Sequence, residues 1–334
     1  MHLDLVPVWT VILGVGVFMY VFLDGFDLGI GILFPMARDD DARTLMMNSV
    51  APVWDGNETW LVLGGLGLLA AFPLAFAIII PALYFPILLM LLGLIFRGVA
   101  FEFRLKETSH RRWWDRAFFG GSTIATFFQG VVLGMYVEGF AVTGRAFAGT
   151  SFDWLRPFPL ATGVGLVFGY ALLGATWLVM KTEGDLQAWS RGRARLALYG
   201  VLAFIAMVSL WTPLAHRQVA ERWFSLPNLY YLAIVPIITA LIAFTTWRAL
   251  HRDSDYVPFI GALGLFVMCY LGLGISLFPY IVPYSVTLWD AAAVPSSQMF
   301  LLIGTLFILP IVFMYTGWSY FVFRGKVSSD AGYH

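Results

Sequence analysis

The stretch YVFLDGFDLGIGILFP, residues 20–35, sets two carboxylates, Asp24 and Asp27, inside an otherwise apolar, glycine-rich run. A charge at the bilayer centre costs about 2.5–3.5 kcal/mol on insertion scales, so acids at such depth face a bundle interior or a water-lined path. Three residues apart, the two share one face of a helix. Gly25 and Gly29 form a small-residue pair of the kind that lets membrane helices touch.

The rest of the chain supports a membrane setting. Its 334 residues are 60% hydrophobic and 12% charged, with a mean hydropathy of +0.81; soluble domains carry about 25% charged residues. The 13 tryptophans suit interfacial belts. A formal net charge of zero gives no sign of nucleic-acid binding. The single cysteine, Cys269, excludes an internal disulfide and a cysteine-based metal site. The opening MHLDLVPVW lacks a basic n-region, so the first apolar run is expected to stay as a helix rather than act as a cleaved signal.

A span needs about 20 mostly apolar residues. Nine such runs are predicted, at 7–35, 51–71, 77–102, 117–139, 159–180, 196–214, 228–247, 257–279 and 298–322, forming a single transmembrane domain over 1–334. AAFPLAFA, residues 70–77, reads as a turn, and RLKETSHRRWWDRAFF as an amphipathic interfacial stretch. Lys and Arg fall mostly after odd-numbered spans, from Arg38 and Arg43 to Arg324 and Lys326. Only Arg145, Arg156, Arg217 and Arg222 fall on the other side. The positive-inside rule then places the N-terminus outside and the C-terminus in the cytoplasm.

His2, His110, His216, His251 and His334 all fall in predicted loops or termini. Haem in a bundle needs axial His, Met or Cys ligands, so no redox centre is expected in this chain. Polar residues do recur at depth. APVWDGNETW opens the second span with Asp55, Asn57 and Glu58, and LIFRGVAFEFR closes the third with Arg97 and Glu102. At 1.5 Å per residue, Arg97 lies roughly 10 Å from the basic loop at Arg104, and Asp27 roughly 16 Å from Arg38. Asp24, Asp27, Asp55, Glu58 and Arg97 therefore read as one acid–base cluster in the cytoplasmic half. It serves either as a lock between three helices, as a proton relay, or as a cation site. Glu138 and Asp290 lie toward the outer side, Glu138 as a solvated acid or part of an outer path, Asp290 as a cap or interfacial group.

DGFDLGIGIL, NSVAPVWDGNETWLV, FRGVAFEFR and LFPYIVPYSVTLWDA, in this order, resemble the motifs of subunit II of cytochrome bd-type quinol oxidases. ETW after WDGN is similar to the cyanide-insensitive branch. The resemblance implies an all-α integral membrane protein of nine helices, two four-helix bundles plus one peripheral helix. It implies a bacterial inner-membrane heterodimer with subunit I, which carries two b-type haems and haem d, oxidises quinol and reduces O2 to water. It also implies small single-span accessory subunits as candidate partners and a structural quinone as a candidate ligand of this chain. The family's acid–arginine group maps onto Asp27, Asp55 and Arg97, and Asp24 matches the first acid of DGFD. The competing readings are a proton- or cation-coupled carrier, which an inverted repeat would favour, and a scaffold without a proton role.

Overall fold

The computed structural model describes residues 4–106 and 110–327. It is almost entirely helical, apart from two short antiparallel hairpins. Helix α1 (Val6–Leu33) continues as a 3-10 turn, Phe34–Met36. A short helix α2 (Asp40–Asn48) follows, its first turn capped by the Asp39 carboxylate, which accepts from the Ala42 N–H at 2.8 Å. Next come α3 (Trp54–Ala71), α4 (Pro73–Ala82), α5 (Tyr84–Lys106) and α6 (Arg111–Glu138). The hairpin β1–β2 (Val142–Thr143, Ala146–Phe147) leads to α7 (Pro157–Lys181) and α8 (Gly184–Ala215). Short helices α9 (Arg217–Phe224) and α10 (Asn228–Leu232) precede α11 (Ile234–Leu250) and α12 (Val257–Leu277). The second hairpin, β3–β4 (Tyr280–Val282, Val286–Thr287), and the turn of helix α13 (Leu288–Ala291) lead into α14 (Pro295–Val322).

Among the described residues, eight helical segments are long and apolar enough to cross a membrane. The second predicted span is not one of them. It is realised as α3, whose 18 residues begin with Asp55, Asn57 and Glu58. The expected turn at 70–77 is also corrected. Helix breaks at Phe72 alone and resumes as α4. The next break, at Leu83, has a chemical cause: Pro86 lacks the N–H that would bond the Ala82 carbonyl. Pro236 stands in the same relation to Leu232, where α10 gives way to α11. The sixth span begins twelve residues earlier than predicted, because GDLQAWSRGRAR continues α8 as a helix with Ser190 and Ala194 buried. The expected interfacial stretch at 104–119 is instead the last turn of α5 and the opening turns of α6, with 107–109 outside the described residues.

Two ends of the molecule are distinguished by their contacts. At one, the loops carry the basic residues: Arg38 pairs with Asp185 at 3.2 Å and Arg191 with Asp255 at 2.9 Å. The other is closed by the hairpins: Trp9 Nε1 donates to the Gln298 carbonyl at 3.2 Å and Tyr136 to that of Ile281 at 2.7 Å. Between the ends, α1 packs on α3, α6 and α7, α5 on α6, and α6 on α7. Helix α7 also packs on α8 and α12. Helix α14 is the outlier, lying against α3 with Gln298 its only buried residue.

Glycine sets the closest of these approaches. A Cβ on Gly29 would fall 1.9 Å from the Tyr170 carbonyl oxygen, and one on Gly174 would fall 2.5 Å from the Gly29 carbonyl carbon. The backbones of α1 and α7 are therefore in direct contact, the close approach that small residues permit. We expect Gly29→Ala to force the two helices apart at a cost of about 1–3 kcal/mol, seen as a lower thermal unfolding midpoint in detergent. Gly65→Ala, with nothing within 4 Å of the added carbon, should leave the midpoint unchanged or raise it. Equal midpoints for wild type and Gly29→Ala would refute the contact.

Candidate acid–guanidinium site

Four helices build the site. Helix α1 presents Asp24 and Asp27 from one face, and the first turns of α3 supply Asn57 and Glu58. Helix α5 brings Arg97, and α14 adds Tyr320. Arg97 is fully buried and meets three carboxylates. Nη2 lies 2.8 Å from Asp24 Oδ1 and 3.6 Å from Asp27 Oδ2, and Nη1 lies 3.4 Å from Glu58 Oε2. The Trp54 ring stands 5.6 Å from the guanidinium carbon and stacks on Phe101. Asn57 extends the group: its Nδ2 donates to Asp27 Oδ2 at 2.8 Å and to the Leu23 carbonyl at 3.3 Å. Its Oδ1 accepts from the Tyr320 hydroxyl at 2.8 Å. Beside Asp27, Phe26 stacks on Trp177 at 4.1 Å, and Tyr320 and Phe259 meet it edge-on, forming an aromatic wall.

Exposure grades the three acids. Asp24 and Asp27 are each 1% exposed, whereas the Glu58 side chain is 27% exposed. Glu58 is thus the member that reaches the surface while touching the buried guanidinium. Asp55 does not join the Arg97 group. It sits exposed at the start of α3, three residues before Glu58, so the grouping of Asp27, Asp55 and Arg97 becomes Asp24, Asp27 and Glu58 around Arg97. The reason is helical phase: Asp55 and Glu58 bracket Asn57, and α3 turns Asn57 inward, which sends Asp55 out. Glu102 is also exposed and pairs with Lys106 at 3.2 Å along its own helix. Glu138 lies 3.7 Å from Arg156, and Asp290 accepts from the Thr287 hydroxyl at 2.6 Å within a helix cap, both at the hairpin end. His110, His216 and His251 all sit at helix termini, while His2 and His334 lie outside the described residues.

Three polar residues escaped the sequence reading. Tyr320 lies nearly 300 residues from Asp24 and had no local signal. Arg104, read as a loop cation, is buried; its Nε meets Asp115 Oδ1 at 2.6 Å and its guanidinium lies 5.0 Å from the Phe34 ring centre. Its spacing of seven from Arg97 puts it on the same helix face, and that was a usable signal. Lys181, also buried, donates from Nζ to the Phe323 and Gly325 carbonyls at 2.6 and 3.0 Å, capping the end of α14.

The family described as Cytochrome bd terminal oxidase subunit II matches residues 5–323. Cytochrome bd-I ubiquinol oxidase subunit 2 of Escherichia coli K12 is 30% identical over 363 aligned positions, covering 97% of this chain and 95% of that protein. Cytochrome bd ubiquinol oxidase subunit 2 of Bacillus subtilis 168 is 31% identical over 337, with 96% of each chain covered. A chain of the bd oxidase structure from Geobacillus thermodenitrificans superposes with a TM-score of 0.77 at 19% identity, covering 96% of this chain and all of that one, a likeness of fold.

Removing one partner of a buried ion pair costs about 3–5 kcal/mol, because the other is left uncompensated. Arg97→Ala strands three carboxyls, whereas Asp24→Asn leaves Arg97 with two. The first should lower the yield of folded protein far more than the second, measured by fluorescence-detected size exclusion. Tyr320→Phe should fall between wild type and Asp24→Asn. Equal yields for Arg97→Ala and Asp24→Asn would contradict the pairing.

Proposed function

Because the chain belongs to the cytochrome bd terminal oxidase subunit II family, and so to a quinol oxidase complex with oxidoreductase activity, we propose that its own contribution is a proton path from the cytoplasm. In this reading it pairs with a subunit I that holds the two b-type haems and haem d, and those haems supply the electron transfer and O2 reduction. The histidines support this reading: those described are at helix ends, away from the bundle interior where an axial ligand would be needed. Helix α3 acts as a ninth traverse. α1, α3, α5 and α6 make one four-helix bundle, α7, α8, α11 and α12 a second, and α14 is peripheral. The basic end faces the cytoplasm, in keeping with the positive-inside rule.

The observation that carries the relay is the exposure gradient along one charged group. Glu58 touches both the surface and Arg97, and Arg97 touches two acids sealed from solvent. Asp55, exposed one turn away, collects a proton at the surface. Glu58 receives it, and Asp24 and Asp27 are the next acceptors; Arg97 stays charged and holds the three carboxyls in place but carries no proton itself, so the transfer from Glu58 runs through water beside it. Asn57 holds Asp27 in place throughout but cannot itself be protonated at useful pH. A lock alone would need no acid at the surface and no more than one carboxyl per guanidinium.

Two variants separate relay from lock. Asp55→Asn and Glu58→Gln keep shape and hydrogen-bonding capacity but cannot carry the proton. In the assembled complex, quinol-driven oxygen consumption per haem d should fall roughly tenfold or more, increasingly as pH rises and protons become scarce, with haem content unchanged. Wild-type rates and pH profiles in both variants would exclude this path. A pyridine haemochrome assay on the isolated subunit should find no stoichiometric haem; finding it would overturn the assignment of the haems to the partner.

A further inference from the structure

Asp24 meets Arg97 through one carboxylate oxygen only. Around its remaining surface the bundle interior carries an unusual set of polar atoms. The hydroxyls of Tyr20 and Tyr170 are buried and lack a well-aligned hydrogen-bond partner, although Tyr20 is within reach of Asp24 and Tyr170 within reach of Gln129. The Tyr170 ring lies directly over α1 at Gly25, where an added Cβ would come within 2.8 Å of it. Gln129 of α6 faces the Tyr170 hydroxyl and leaves its Oε1 unmatched. Both carboxylate oxygens of Asp24 lack a well-aligned donor, although Arg97 is within ion-pair distance of one.

Helix α6 adds a second, independent sign. Ser122, Thr126 and Gln129 follow one another at spacings of four and three, a single stripe on the face toward α1 and α7. A hydroxyl buried in a helix ordinarily bonds back to a carbonyl of the preceding turn. Thr162 and Thr176 of α7 do so, at 2.8 Å in both cases. Ser122 and Thr126, both fully buried, do not, and their hydroxyls are unmatched. Ser122 lies beside Gly31, two turns along α1 from Asp24, so the stripe runs along α1 toward the carboxyl; buried polar atoms without a well-aligned partner are the usual lining of buried water, which satisfies such groups with two to four hydrogen bonds each.

We propose that Tyr20, Tyr170, Gln129, Thr126 and Ser122 line an internal water site that opens onto Asp24. The acid–guanidinium group then continues as a hydrated branch into the middle of the bundle. The branch is blind. Beyond Gln129, α6 offers buried Val131, Gly134 and Met135, and the next hydroxyl, that of Thr162, is already bonded to the Gly130 carbonyl at 2.9 Å. A blind end matters, because an open one would let protons leak across the membrane. The groups that face Asp24 are Arg97 from α5, Glu58 from α3, Asp27 and Tyr20 from α1, and Tyr170 from α7. Water in the branch gives the carboxyl of Asp24 hydrogen bonds that Arg97 cannot supply and lets it hold a proton.

The inference deepens the relay reading, and its test does not depend on turnover. A high-resolution cryo-EM map of the wild-type complex should show ordered water within hydrogen-bond reach of Asp24 and of at least one tyrosine hydroxyl. A dry interior, with those hydroxyls bonded directly to the carboxylate, would overturn it. In parallel, the infrared carboxyl stretch assigned to Asp24 by its loss in Asp24→Asn should shift in Tyr170→Phe and in Gln129→Leu, in complexes matched for haem content. An unmoved band in both would also overturn it. If a variant fails to assemble, the wild-type map still decides. Failure of the relay would show instead as normal oxygen consumption in Glu58→Gln, with the water density intact.

Discussion

One guanidinium buried among three carboxyls is the constraint that organises this protein. Taking an ion out of water costs several kcal/mol even after relaxation, and only close, well-aligned partners offset it. Arg97 finds them on α1 and α3 from its own place on α5, so these three helices are fixed in register by charge rather than by shape. For the group to be electrically neutral, two of its three carboxyls must carry protons. The same geometry that locks the helices therefore creates places for protons to reside, and structure and proposed function are two aspects of one arrangement.

The other buried cations are resolved differently. Among the described residues Arg104 meets one carboxylate, that of Asp115, and the face of Phe34. Among the described residues Lys181 has no carboxylate within ion-pair distance; its donors go to the carbonyls that end α14, and it rests 5.1 Å from the centre of the Trp177 ring. Neither gathers more than one carboxylate, and both hold elements together. Lys326 and Val327 reinforce the second, bonding back to Asp255, Thr182 and Lys181, so that the tail straps α14 to the α7–α8 turn. Helix α14 needs this strap because so little of its surface is packed within the chain. Measured against these two, the three-to-one ratio at Arg97 is excessive for a lock.

Much of this was legible in the sequence. The apolar runs gave the long helices, and the acids of DGFD and WDGNE marked the site, because a charge in an apolar run is too costly to be incidental. Gly29 was readable as a contact before its partner was known. The misses have a common cause: each depended on phase or on distance along the chain. Asp55 and Glu58 look alike in sequence, but burial of Asn57 between them turns one outward. The polar start of α8 reads as loop by hydropathy, yet its buried Ser190 and Ala194 follow helical spacing. Tyr320 enters the site from the far end of the chain, and no local pattern announces such a contact. Arg104 was hidden among loop cations such as Lys106 and Arg112, which are exposed.

The position of Arg97 along the chain also sets an order of events during synthesis. Chains grow at about 5–20 residues per second, N-terminus first, so Asp24 and Asp27 emerge roughly 4–15 s before the residue that neutralises them. Helix α1 cannot settle in lipid as a finished span in that interval without two bare acids. It must wait at the translocation machinery, or hold its acids protonated, until α5 arrives. Tyr320 comes more than two hundred residues later still, so Asn57 receives its last hydrogen bond only as the chain is completed.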